Sequence, residues 1–154
     1  MSWDKRIFPG ETLHYPGRME VEYYLYTPGI HGLEAAKLLK EGKVPGMRCP
    51  DGRLFMPPKT FCPDTLEEAE IVEVEGPFIL SLYTVVRESL RGERLGESVV
   101  LGFITSPGVI GGYIGVVKGP EEKIRPGIVV RPVFRPEHER TGAFTDIAYW
   151  SVEG

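Results

Sequence analysis

From residue 65 onward, short apolar runs alternate with turn signals, and this pattern limits the possible folds more strongly than anything else in the sequence. The turn signals are Gly-Pro and Pro-Gly pairs and polar clusters, which interrupt helices and long strands alike. Six apolar runs are predicted to be strands: Ile71–Val74, Phe78–Arg87, Ser98–Thr105, Val109–Val117, Ile128–Arg135 and Phe144–Val152. Because no helical segment of comparable strength accompanies them, we predict a mainly β chain with a C-terminal OB-type β-barrel.

Glycine and proline are abundant, with 19 and 14 copies among 154 residues, but 42% hydrophobic residues argue against disorder. One glycine-rich run, Gly108–Gly115, invites comparison with a phosphate-binding loop. It lacks a Lys-Ser/Thr pair, does not fit the dinucleotide-binding spacing, and precedes no predicted helix. We therefore predict that it is a bent barrel strand, in which glycine permits coiling or bulges.

The N-terminal part has one clear helix. Residues Leu33–Lys43 combine alanine and leucine with charged residues and contain no β-branched side chain, and Gly42 supplies a stop. The periodicity of Met19–Leu25 fits a strand and a helix equally well. Between positions 44 and 64 lie five prolines and both cysteines, so this stretch is predicted to form turns and short extended pieces.

Charge and cysteine content exclude several classes of protein. The formal net charge is −4, without the basic surplus typical of nucleic-acid-binding domains. No apolar run approaches the roughly 20 residues needed to span a bilayer, and the N-terminus lacks the apolar stretch of a secretory signal. Two cysteines are too few for a disulfide framework. We therefore expect a soluble cytoplasmic protein that binds no membrane.

The segment Cys49–Thr65 is the most specific motif, with the sequence C-P-D-G-R-L-F-M-P-P-K-T-F-C-P-D-T. A zinc ribbon uses two C-x-x-C knuckles, because four thiolates close a tetrahedral structural site. The segment resembles such a ribbon with its second and fourth ligands missing. The fourth ligand would fall at Thr65, and the second is either replaced by Asp51 or deleted just before Gly52.

The chain as a whole resembles the small zinc-ribbon-plus-OB-fold proteins that accompany thiolases and related acyl-CoA enzymes. The segments that carry the resemblance are Met1-Ser2-Trp3, Gly52–Lys59, Cys62-Pro63, Ser81–Val86 and Lys123–Phe134. It implies a helical arm at residues 1–45, a degenerate, rubredoxin-like zinc ribbon at 46–66 and an OB-fold barrel at 67–154.

The resemblance also implies a function. It points to a non-catalytic accessory or scaffold subunit of a thiolase-type enzyme complex, which helps to bind or channel a CoA thioester. A 3-hydroxy-3-methylglutaryl-CoA synthase-like enzyme is the implied second partner. The sequence offers no catalytic constellation against this expectation, since His14, His31 and His138 lie far apart in turn-rich contexts.

The resemblance makes Cys49 and Cys62 the candidate metal ligands, but only these two of four ribbon cysteines are present. A closed zinc site would need two more ligands, for which Asp51 and Asp64 are the candidates. Hard carboxylates beside soft thiolates make a poor structural zinc site, so we predict that zinc has been lost. Packing of Phe55 and Phe61 or a Cys49–Cys62 disulfide could replace it; alternatively, the two cysteines are inert buried thiols.

Two other residue groups are candidate binding sites. Arg48, Arg53 and Lys59 could contact CoA phosphates, although nearby acidic residues favour a solvated charged face. Tyr23, Tyr24 and Tyr26 could be interface anchors, or could pack the arm onto its own domain.

The alternative function is binding of single-stranded nucleic acid. OB barrels stack bases on exposed rings. The rings that could serve are Phe78, Tyr83, Phe103, Tyr113, Phe134, Phe144, Tyr149 and Trp150. The acidic balance of the chain argues against this alternative.

Overall fold

The computed structural model describes residues 27–89 and 91–152, and the backbone alone of 5–8 and 11–13. The N-terminal elements are strands β1 (Lys5–Phe8) and β2 (Glu11–Leu13), which pair antiparallel, and helix α1 (Gly29–Glu41). The ribbon sheet contains β3 (Pro45–Arg48), β4 (Leu54–Met56), β5 (Glu70–Glu73) and β8 (Val109–Gly111). The barrel contains β6 (Phe78–Glu88), β7 (Arg94–Thr105), β9 (Tyr113–Lys118), β10 (Val129–Phe134) and β11 (Ile147–Val152).

The five barrel strands close in the order β10-β11-β9-β7-β6, with β10 pairing back to β6. All the pairings are antiparallel except that of β11 with β9, which is parallel. Numbered along the barrel alone, the order is 1-2-3-5-4-1 with the third and fifth strands parallel, which is the OB topology. The predicted mainly β class and OB-type barrel are therefore confirmed.

Aromatic and aliphatic side chains fill the barrel. Trp150 is 1% exposed, and its ring meets that of Phe78 edge-on at 5.0 Å between centroids. Leu80 and Ile104 are paired across β6 and β7 and are fully buried. Rings packed edge-to-face contribute more than their buried area alone, so Trp150 is the centre of this core.

Glycines in β7 and β9 make room for that core. A Cβ atom added at Gly115 would lie 2.6 Å from Nε1 of Trp150, and one at Gly102 would lie 2.5 Å from Leu80. A Cβ at Gly112, between β8 and β9, would lie 2.4 Å from the carbonyl oxygen of Ile104. The glycine-rich run therefore packs against the barrel and does not form a phosphate-binding loop. The single strand predicted for Val109–Val117 is in fact two strands, β8 and β9, separated at Gly112.

The ribbon sheet has the order β5-β3-β4-β8, and its last pairing, β4 with β8, is parallel. Met47, Cys49, Cys62 and Ala69 form a small buried cluster of its own. Three other side chains of this region, Val44, Met56 and Val74, belong instead to the barrel core. The buried hydroxyl of Tyr113 donates a hydrogen bond to the carbonyl oxygen of Pro45, and burial raises the pKa of this phenol far above its usual value. The ribbon is thus joined to the barrel by shared packing.

Helix α1 covers the ribbon sheet with Ala35 and Leu39, which are buried. It ends at Gly42, whose φ of 79° allows its amide to reach back to the carbonyl groups of Leu38 and Leu39. The guanidinium of Arg140 donates to the carbonyl oxygen of Lys40 at 2.9 Å, which places a cation at the negative end of the helix dipole. This contact ties the helix to the loop before β11.

Several predicted boundaries differ from the structure. The helix begins at Gly29 rather than Leu33, because its first turn contains two glycines that propensity does not favour. Strand β7 begins at Arg94 and not at Ser98, since the β6–β7 hairpin extends into the predicted turn. Residues Phe144–Asp146 form a 3-10 turn before β11. Met19–Leu25 lies outside the described residues. No helix in the described part of the chain is long and apolar enough to cross a membrane.

Candidate functional site: the cysteine knuckles and the adjoining pocket

Two tight turns, here called the first knuckle (49–53) and the second knuckle (62–67), bring the cysteines together. Sγ of Cys49 is bonded to Sγ of Cys62, with 5.8 Å between their Cα atoms. Both residues are buried, at 2% and 0% exposure. The surviving cysteines of the ribbon motif therefore form a disulfide between the knuckles.

The knuckles differ in length by one residue. In the first, the Cys49 amide donates to the carbonyl of Arg53, and Gly52 has a φ of 86°. In the second, the Cys62 amide donates to the carbonyl of Glu67, and Leu66 has a φ of 59°. Gly52 and Leu66 occupy the same left-handed position, three residues after Cys49 but four after Cys62. This geometry favours deletion of the second ligand position before Gly52 over its replacement by Asp51.

Arg53 joins the carboxylates of both knuckles. Its Nε donates to Asp51 Oδ2 at 2.7 Å and its Nη1 to Asp64 Oδ2 at 2.5 Å, and its guanidinium lies 5.4 Å from the centre of the Phe55 ring. Hydrogen bonds from the backbone and side chain of Arg53 hold the pKa of Asp51 below its usual value. The hydrogen bonds that Arg53 donates to Asp64 and Asp51 raise the pKa of its own guanidinium. We call these three residues the Arg53 triad.

The donor set does not fit a zinc ion. Within the described residues, no three His, Cys, Asp or Glu side chains converge where a metal ion could be held. The thiols of Cys49 and Cys62 are consumed by their bond, and the carboxylates of Asp51 and Asp64 both accept from Arg53. A zinc ion would have to break the disulfide and displace a fixed cation before it met four ligands.

A cavity of about 430 Å³, here called the pocket, lies beside the knuckles. Helix α1 lines it with small residues that include Gly32, Ala35 and Ala36. The ribbon contributes residues 58–60, and the loop before β11 contributes residues 141–144. Because these walls are mainly apolar, the pocket suits an apolar chain better than a polar ligand.

The loop wall of the pocket is held by a buried carboxylate. Asp146 is 1% exposed, and its oxygens accept hydrogen bonds from the amides of Thr141 and Gly142 at 3.1 and 2.6 Å. Desolvation raises the pKa of Asp146, but these hydrogen bonds outweigh it and hold the pKa below its usual value. A Cβ atom at Gly142 would lie 2.9 Å from that of Ala36, so loop and helix touch directly.

Only one cation of the predicted basic group is available at the pocket. Arg48 pairs with Glu70 at 3.3 Å, and Arg53 belongs to its triad. Lys59 lines the pocket and has no acidic partner among the residues that the structure describes. Its backbone amide donates to Sδ of Met47 at 3.2 Å, which fixes the chain at this point.

The other predicted residues have different positions. His31 lines the pocket and lies 3.4 Å from Glu68, whereas His138 is exposed beside Glu139. Tyr23, Tyr24, Tyr26 and His14 lie outside the described residues. The sequence did not indicate the helix and loop walls of the pocket, since residues near positions 35 and 142 come together only in the folded chain.

Comparison with known proteins agrees with this architecture. Residues 36–64 match the family model described as the rubredoxin-like zinc ribbon domain of ChsH2. The fold is similar to that of a DUF35-family protein of unknown function from Sulfolobus solfataricus, with 21% identity and a TM-score of 0.65 over 81% of this chain and 87% of that chain. It is also similar to a structure described as the Ltp2-ChsH2(DUF35) aldolase, with 19% identity and a TM-score of 0.53 over 69% and 87%.

The comparison with curated proteins gave no match. The ribbon match and the two similar structures agree with the architecture described above, in which a ribbon is joined to an OB-type barrel. The predicted resemblance is therefore confirmed. The chain departs from the zinc-ribbon pattern at the metal centre, where a disulfide links the only two cysteines of the sequence.

Proposed function

We propose that the chain is a non-catalytic accessory subunit of a thiolase-type acyl-CoA enzyme complex, which helps to bind or channel a CoA thioester. The similar structure described as the Ltp2-ChsH2(DUF35) aldolase supports a role beside a partner enzyme. A 3-hydroxy-3-methylglutaryl-CoA synthase-like enzyme is the proposed second partner. We also propose that the chain acts in the cytoplasm.

The observation that carries the proposal is an apolar row on the outside of the barrel. Leu82, Phe103 and Ile114 are direct neighbours across β6, β7 and β9, and Leu82 and Ile114 are 65% and 77% exposed. The half-buried side chains of Leu101 and Val116 form the next outward row. A contiguous apolar patch of this kind on a folded surface is typical of a protein interface.

The pocket is the proposed binding site for the CoA thioester. Its apolar walls suit the pantetheine or acyl part of a thioester, and Lys59, which also lines it, has an ammonium group of the kind that binds phosphate. The remaining basic side chains of the ribbon, Arg48 and Arg53, are already paired with carboxylates. Lys59 is therefore the proposed contact to CoA.

Two observations bear on catalysis and on nucleic acid. Covalent acyl transfer through a cysteine needs a free thiolate, and the disulfide consumes both cysteines of the chain. The barrel buries Phe78, Tyr113 and Trp150, which removes three of the rings that base stacking would use. Both support an accessory subunit over the alternative functions.

Affinity capture from native lysate with mass spectrometry tests the partner. We expect wild-type chain to retain an enzyme of thiolase fold, and Ile114→Asp to lose it. Leu33→Asp is the control, since Leu33 is 52% exposed and belongs to helix α1, not to the barrel strands that carry the apolar row. Equal retention by both variants would exclude the row as the interface. Acyl-CoA turnover by the isolated chain would contradict the non-catalytic assignment.

A further inference from the structure

The ribbon needs a cross-link because it has little core of its own. Its separate buried cluster contains only Met47, Cys49, Cys62 and Ala69, and two of these four are the bonded cysteines. Zinc ribbons obtain the missing stability from the metal. In this chain the disulfide links two cysteines that are 13 positions apart and joins the same two knuckles.

The Arg53 triad occupies the positions beside that cross-link. Asp51 comes from the first knuckle and Asp64 from the second, so the guanidinium of Arg53 bridges the knuckles a second time. A cation already lies between the two carboxylates that a zinc ion would need. The disulfide and the Arg53 triad therefore take the place of a metal centre: the disulfide holds the two knuckles together, and Arg53 compensates the negative charge of the carboxylates.

We propose that Cys49 and Cys62 are an oxidative modification site that has replaced the zinc centre, and that this disulfide controls the shape of the pocket. Pocket residues 58–60 lie within the loop that the disulfide closes. The same segment is attached to the ribbon through the Lys59 amide on Met47 and through the Ala69 amide on the carbonyl of Thr60. Reduction releases one end of this wall, while the barrel core stays closed.

The closing step is a thiol–disulfide exchange with a low-molecular-weight disulfide such as oxidised glutathione. The thiolate of one cysteine attacks that disulfide and forms a mixed disulfide, which releases one glutathione thiolate. The second cysteine loses its proton to solvent and attacks the mixed disulfide, which releases the second glutathione thiolate. Two protein thiols are oxidised to one disulfide, and one oxidised glutathione is reduced to two thiols.

The redox state of Cys49 and Cys62 in the cell can be trapped with a thiol-blocking reagent at the moment of lysis. Cells that express the full chain are lysed in denaturant with N-ethylmaleimide, and the protein is then reduced and labelled with a second, heavier maleimide. We expect both cysteines to carry the heavy label, and the natively purified protein to hold less than about 0.1 zinc per chain by elemental analysis. Light label on both cysteines would overturn the proposal. It would also be overturned if the protein held about one zinc per chain and lost its fold when a chelator removed that zinc.

Hydrogen exchange tests the link to the pocket. On reduction of the wild-type chain, amide exchange of residues 59–61 should rise at least about tenfold while strands β6 and β7 keep their protection. Cys49→Ser/Cys62→Ser should show the fast exchange without reductant and no further response to it. Wild-type amide exchange at residues 59–61 that reduction leaves unchanged would overturn the link, and it can be measured even if the variant fails to fold.

Discussion

The barrel and the ribbon are packed against each other, yet they are stabilised in different ways. The barrel closes on itself and is filled by large side chains such as Trp150, Phe78 and Leu80. The ribbon has short strands, a four-residue buried cluster and a covalent bond between its knuckles. A region with a sufficient apolar core can dispense with cross-links, whereas one that lacks it depends on a bond or a metal.

The comparison also explains why the ribbon could change its cross-link. A metal centre needs four ligands at fixed geometry, and loss of one ligand in each knuckle abolishes it. The two cysteines that remain need only meet each other, and the shared core with Val44, Met56 and Val74 keeps the ribbon seated on the barrel. The region that binds the proposed ligand is thus the region with the least stability of its own.

Removal of the barrel's central side chain is the most severe test. Trp150→Ala should lower the free energy of unfolding by about 4 kcal/mol, because it leaves a large cavity in a closed core. Urea denaturation followed by circular dichroism measures the change. Ile114→Ala, on the exposed outer face, should change the free energy by less than about 0.5 kcal/mol. Similar losses in the two variants would show that the barrel is not the stabilising core.

Loss of the disulfide should have the next largest effect. Cys49→Ser/Cys62→Ser should lower the free energy of unfolding by about 3 kcal/mol, because the loop between the cysteines, which are 13 positions apart, is no longer closed in the unfolded chain. Urea denaturation of the variant beside oxidised and reduced wild type measures it. Reduced wild type should match the variant; a variant as stable as the oxidised protein would contradict the view that the ribbon depends on its cross-link.

The sequence predicted the barrel well because each strand is a local apolar run between turn signals, as Phe78–Glu88 illustrates. It did not predict the break at Gly112, because that break depends on the carbonyl oxygen of Ile104 on another strand. The resemblance to a zinc ribbon made both cysteines candidate metal ligands, but the choice among disulfide, metal and free thiols needed the folded knuckles. The contact between Arg53 and Asp64 and the pocket walls arise from distant segments, so no local pattern could reveal them.

Loss of the carboxylate that holds the loop wall of the pocket should lower the free energy of unfolding less than loss of the disulfide does. Asp146→Asn should cost about 2 kcal/mol, because a buried carboxylate that accepts two backbone amides is replaced by a neutral amide that cannot satisfy both. Urea denaturation gives the cost, and hydrogen exchange at residues 141–143 should rise. Glu137→Gln, on the exposed 3-10 turn nearby, is the control and should leave both unchanged. An unchanged exchange rate in Asp146→Asn would show that the carboxylate does not hold the loop.

The same carboxylate makes stability depend on pH. Since the pKa of folded Asp146 lies below its value of about 3.9 in the unfolded chain, its contribution is complete above that value and is lost as the pH falls through the folded pKa. We therefore expect the gap in unfolding free energy between wild type and Asp146→Asn to narrow from pH 7 to pH 3. Urea denaturation at several pH values measures the gap. A gap that stays constant on acidification would show that folding does not shift the pKa of Asp146, and a gap that widens would give the shift the opposite sign.

The smallest effect should come from the Arg53 triad, which sharpens the contrast between covalent and ionic closure of the knuckles. Arg53→Met keeps much of the contact with Phe55 but removes both ion pairs. Because these charged groups are exposed, the melting temperature should fall less than it does when the disulfide is reduced. The fall in melting temperature should be smaller still in 1 M salt. Arg48→Met, which loses one exposed ion pair with Glu70, is the control. If Arg53→Met instead lowered the melting temperature as much as reduction does, the triad and not the disulfide would be the principal closure of the ribbon.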